Sequence, residues 1–86
     1  MRNNEELAAK IILASIAIII LLAATSKAIE IDPKDAGAYN NRGIVFFTDG
    51  KPAQGLPDVE KSLELHPDDP NALDTRGLIF EALGRK

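Results

Sequence analysis

Ser62 and His66 stand four residues apart, a spacing that puts both on one face of a helix and sets a hydroxyl beside a base. Neither a third group to orient the imidazole nor an oxyanion donor is recognisable, and Ser62 suits a small packing position. The pair therefore predicts no catalysis. His66 is the single histidine; beside Pro67 at a helix end, its positive form would complement the helix dipole. Asp68 and Asp69 after that proline read as turn and cap, not as metal ligands. Asp49, Gly50 and Lys51 end like a phosphate-binding loop, but the glycine required five residues earlier is Val45. With no cysteine present, disulfides, thiolate metal sites, a thiol nucleophile and a cysteine-linked lipid are all excluded. These residues predict a non-enzymatic chain with no cofactor and no metal.

The elements that carry them divide into two unlike parts. The chain has 86 residues, 45% apolar and 27% charged, with a net charge of −3. No charge falls within residues 11–26, whereas residues 27–86 hold 8 basic and 11 acidic side chains. An acidic balance of this kind argues against a nucleic-acid partner, because phosphate binding needs clustered Lys and Arg. The charged part, roughly 60 residues, lies near the lower size limit for a domain that folds alone.

Residues 11–24 are apolar at every position except Ser15, and six are isoleucine. Alanine and leucine are interspersed and no turn residue occurs, so the segment predicts a helix that is apolar all round. Sixteen uncharged residues make about 24 Å of helix, against about 30 Å of bilayer hydrocarbon. Lys10 and Lys27 flank the run and can snorkel to extend it. A single-pass membrane anchor through residues 11–26 is the preferred reading. A cleaved export signal is the rival, with small residues at Ala24, Ser26 and Ala28 for cleavage but a weak basic leader, since Glu5 and Glu6 offset Arg2 and Lys10. A helix buried against protein is the third reading. Residues 1–28 are thus expected to form an anchor or signal helix, and residues 29–86 the remaining region. The expected location is membrane-anchored or exported rather than cytoplasmic.

Compared with itself at a shift of 34, the second part repeats. Pro33 falls on Pro67, Asp35 on Asp69, Arg42 and Gly43 on Arg76 and Gly77, Phe46 on Phe80, and Gly50 on Gly84. Tyr39 pairs with Leu73 and Ile44 with Leu78, and the match extends back so that residues 27–33 overlie residues 61–67 without a gap. A fixed period of this length signals a helical solenoid. The pattern resembles the tetratricopeptide repeat: Tyr39, Gly43 and Phe46 on a first helix, Gly55, Val59 and Ser62 on a second, closed by Pro67. The resemblance covers one full unit, residues 36–69, then a partial unit, residues 70–86, in which Leu73, Gly77 and Phe80 take the places of Tyr39, Gly43 and Phe46. Residues 25–35 are the tail of a preceding second helix. The expected fold is all-α: a helical hairpin plus one extra helix, preceded by a long apolar helix.

Local chemistry supports this independently. Asp35 and Asp69 can cap helix starts, and Gly50 and Gly84 can supply the left-handed residue that ends a helix. Gly43 and Ser62 are small enough for neighbouring helices to approach closely. Gly55, Leu56 and Pro57 depart from the pattern, because proline inside a helix costs about 3 kcal/mol. The second helix is accordingly expected to begin late, at residue 56 or 57, after an irregular corner.

The resemblance implies a protein-binding groove on the first helices, receiving a peptide or a partner helix. Its lining would be Asn40, Asn41, Ile44, Phe47 and Thr48, then Asn71, Asp74, Thr75, Leu78 and Glu81. Ile44 replaces an asparagine, and no lysine faces the groove, so capture of a C-terminal carboxylate is not expected. Solenoid units generally need about three stacked neighbours, and residues 78–83 form an apolar stretch with no second helix after it. An adaptor for another protein is the preferred function. A minimal repeat that works by self-association, as a homo-oligomer or as part of a larger solenoid, is the alternative.

Overall fold

Aspartate starts helices at both places where the period puts it. The computed structural model describes residues 2–85, which form α1 (Arg2–Ile31), α2 (Ala36–Thr48), α3 (Pro52–Leu65) and α4 (Pro70–Ala82), with no strand among the described residues. The Ala38 N–H donates to the Asp35 carboxylate at 3.1 Å, and the Asn71 N–H donates to that of Asp69 at 3.0 Å. Both satisfy amides that the first helical turn leaves unpaired. The ends repeat too. Lys51 and Arg85 donate their N–H groups to the carbonyls of Phe46 and Phe80, at 2.9 and 2.8 Å. Gly50 and Gly84 make the reversal possible at φ 75° and 76°, where a side chain would be strained.

α3 corrects the late start expected at residue 56 or 57. It runs unbroken from Pro52, with Pro57 inside it. Pro52 stands in the first turn, where its fixed φ suits a helix and its missing N–H is not needed. Pro57 forgoes one backbone bond near the start of the helix. Burial of Gly55, Asp58, Val59, Ser62 and Leu63 along one continuous rod offsets that loss.

Val59, Leu63, Ala72 and Ile79 form the apolar core between α3 and α4, with Phe47, Leu56 and Leu83 packed around them. Ala38 and Val45 of α2, 34 residues before Ala72 and Ile79, are buried likewise. Equivalent residues meeting equivalent fates is what a structural repeat requires. α2 packs on α1, α3 and α4, whereas α1 touches α2 alone. On α1 the half-buried residues Ile18, Leu22, Thr25, Ala28 and Ile29 form one stripe, so its C-terminal part stands toward α2 as α3 stands toward α4. Leu7, Ile11, Ile12, Leu13, Ile16, Ile19 and Ile20 remain open.

Candidate protein-binding surface

Two glycines bring α2 and α3 together. A Cβ on Gly43 would lie 2.5 Å from Val59 Cγ2 and 3.1 Å from the Gly55 carbonyl oxygen; one on Gly55 would lie 2.7 Å from the Gly43 carbonyl oxygen. The helix backbones are therefore in contact at Gly43 and Gly55. Tyr39 and Phe46 flank them half-buried.

Arg42, beside Gly43, ties three helices. Its Nε and Nη2 donate to the two carboxylate oxygens of Asp58 at 2.8 and 2.7 Å, and Nη1 donates to Ser26 Oγ on α1 at 3.2 Å. The guanidinium also lies over the Tyr39 ring at 5.9 Å. The hydrogen bond to Asp58 holds the Arg42 pKa above its ordinary value against partial burial. Sequence reasoning assigned Arg42 and Asp58 no role. The signal was present only as an arginine repeated at a shift of 34 and an aspartate sixteen residues on.

With α2 and α4 side by side, Phe47, Leu78, Glu81 and Ala82 line a shallow depression between them. Asn41, Ile44 and Thr48 on α2 and Asn71, Asp74, Leu78 and Glu81 on α4 are exposed. Asn40 and Thr75 depart from the expected lining, for each is only 5% exposed. Their equivalents one period away, Asp74 and Asn41, are open. Sequence position is matched, so the neighbouring helices decide which residue of each pair is covered. The Thr75 hydroxyl donates to the Asn71 carbonyl at 2.9 Å. A second departure concerns the repeat-packing set. Pro67, Leu73 and Gly77 are exposed and Phe80 is half-buried, because the described residues place no helix on that side of α4.

Paired helices of 13 and 14 residues, two glycines at their crossing and a 34-residue register are now in place. The family model for the tetratricopeptide repeat matches residues 24–56. Over those residues the chain is similar to a tetratricopeptide repeat. That match takes in the tail of α1, all of α2 and the start of α3, so the tail of α1 is part of the tetratricopeptide pattern. The helical arrangement is consistent with about one and a half tetratricopeptide repeats. Neither a curated protein nor a solved structure matches the chain. Tetratricopeptide repeats are protein-interaction modules and typically non-catalytic.

Ser62 is buried on α3. Its side chain is fully buried, and among the described residues its hydroxyl has no hydrogen-bond partner, while His66 is exposed. An unpaired buried hydroxyl is destabilising, and alanine is the better helix former. Ser62→Ala is therefore expected to stabilise the fold by about 1 kcal/mol, read as a raised midpoint in thermal unfolding followed by circular dichroism. A lowered midpoint would show that the hydroxyl is satisfied.

Proposed function

We propose that this chain is a non-catalytic adaptor, held at a membrane by α1, that takes a peptide or helix of another protein into the depression between α2 and α4. The observation that carries this reading is the depression lined by Phe47, Leu78, Glu81 and Ala82, with Ile44, Asn41, Thr48, Asn71 and Asp74 exposed on the same two helices. Such a surface suits a ligand with an apolar anchor and basic flanks, the carboxylates facing its charge. Peptides selected from a displayed library on the full chain in detergent are expected to carry that pattern. Their binding should fall about tenfold or more with Ile44→Asp or Leu78→Asp. Selected binders indifferent to both substitutions would overturn the groove.

Anchoring is supported by α1, long and apolar enough to cross a membrane, with a mean hydropathy of 2.7 in its most apolar window and none of that window buried. Its helix continues through the candidate cleavage sites into residues that pack on α2, and Ser26 bonds Arg42. Cleavage would remove that packing, which favours retention of the segment. Fractionation followed by intact-mass measurement is expected to find the uncut chain in the membrane pellet. A soluble product beginning near residue 27 or 29 would replace the anchor with an export signal.

A further inference from the structure

Residues 18–26 of α1 belong to two structures at once. As a membrane span, the uncharged run lies between Lys10 and Lys27. As part of the fold, Ile18, Leu22, Thr25, Ala28 and Ile29 form the half-buried stripe, and among the described residues α2 is the one element that α1 touches. Arg42 stands between Ala38 and Val45 on one stripe of α2, and its bond to Ser26 sets the register. The two helices run antiparallel through the short turn at residues 32–35. Val45, one turn beyond Arg42, therefore stands level with Leu22, and Ile18 with the last turn of α2.

The two placements exclude each other. Residues 11–17, the apolar part that α2 leaves free, make about 10 Å of helix against about 30 Å of hydrocarbon. A span must therefore take in Ile18 and Leu22. With the hydrocarbon edge at Ser26, Ile18 lies about 12 Å deep. The end of α2 would follow it, carrying the Asp49–Lys51 ion pair, 3.3 Å long, into lipid. Thr25 marks where α1 can divide. Its hydroxyl donates to the carbonyls of Leu21 at 2.8 Å and Leu22 at 3.2 Å, a back-bond of the kind that bends helices. The tetratricopeptide match begins beside it, at residue 24.

On the footing of the membrane anchor, we infer that α1 is hinged at Thr25. In a bilayer the segment before Thr25 swings off α2 into lipid and uncovers Val45, while Ala28 and Ile29 stay on α2 and keep Ala38 covered. Away from a bilayer the segment closes back over Val45. Ile18 and Leu22 are covered in either position, by lipid or by α2, so the exchange forfeits little of their apolar burial. Insertion thus opens a stripe of α2 that the closed chain hides.

The chain has no cysteine, so one introduced thiol reports one site. Val45→Cys, Ala38→Cys and, at an exposed position, Thr48→Cys are each reconstituted as full chains in phosphatidylcholine vesicles. Labelling by a water-soluble maleimide is timed, with Thr48→Cys as the reference for access. Adding Ile16→Lys and Ile20→Lys, both at exposed positions opposite the stripe that faces α2, keeps α1 out of lipid and supplies the closed state. The chains without these lysines are expected to float with the vesicles. The thiol of Val45→Cys should react about tenfold or more faster in vesicles than in the double-lysine chain, and that of Ala38→Cys should be slow in both. Within vesicles alone Val45→Cys should outpace Ala38→Cys by the same factor, a comparison that needs no closed reference. Flotation with both thiols slow would overturn the hinge and leave the anchor standing. Ala38→Cys reacting as fast as Val45→Cys would overturn it too, since α1 would then have left α2 altogether. Failure to float would remove the anchor and the hinge together.

Discussion

Gly55→Ala is expected to destabilise the fold by about 2–3 kcal/mol, while Gly77→Ala, also in a helix, raises stability by about 0.5–1 kcal/mol. Intrinsic preference is the same in both cases, since alanine is the better helix former. Packing sets the sign. The new methyl at residue 55 meets the Gly43 carbonyl oxygen at 2.7 Å and Phe46 Cβ at 3.3 Å, so a backbone must move. At residue 77 it meets open space. Gly43→Ala should fall between the two, nearer the first, because fully buried Val59 has no room to turn its Cγ2 away. For a chain of this size, a change of 1 kcal/mol moves the thermal midpoint by about 4–8 °C. Midpoints for Gly55→Ala and wild type that coincide would disprove the close approach of α2 and α3.

Asp58→Ala is expected to cost about 2 kcal/mol, and Arg76→Ala less than about 0.5 kcal/mol. Asp58 accepts two charge-assisted bonds in a fork, and its side chain is 9% exposed against 26% for that of Arg42. Losing the acid leaves Arg42 with Ser26 as its hydrogen-bond partner, its partial exposure allowing some hydration. Arg76 has no such bond to lose. A double-mutant cycle of Arg42→Met and Asp58→Ala should give a coupling of about 1.5–3 kcal/mol; a coupling near zero would remove the pair from the forces holding α2 to α3. Because the folded state raises the Arg42 pKa, its contribution is fully present below the ordinary arginine value and fades only as pH rises through the higher folded value. Changing pH through the neutral range should leave this contribution untouched.

These two contrasts bear on function as well as stability. α2 and α3 are locked by a glycine contact and an ion pair, which holds α2 as a firm wall of the depression. α4 stands against them through Ala72 and Ile79 with an outer face uncovered. A ligand in the depression would touch both α2 and α4.

Chain chemistry alone settled the parts that are local. Asp35, Asp69, Gly50 and Gly84 act within a few residues of themselves, and a period of 34 can be read because repeated neighbours impose repeated side chains. The all-α fold, the helix ends and the small residues at the crossing were legible for that reason. Contacts between distant residues were not. Many acidic residues were available to Arg42, and only the seating of α3 chose Asp58. Pro57 enters a helix because burial along α3 outweighs one lost backbone bond, a balance no single window contains. Asn40 and Thr75 are covered while Asp74 and Asn41 at the same repeat positions are open, since burial belongs to the neighbouring helix and not to the residue. Gly43 and Gly77 are identical letters in one period; the presence of a helix against one and open space against the other is a property of the assembled molecule.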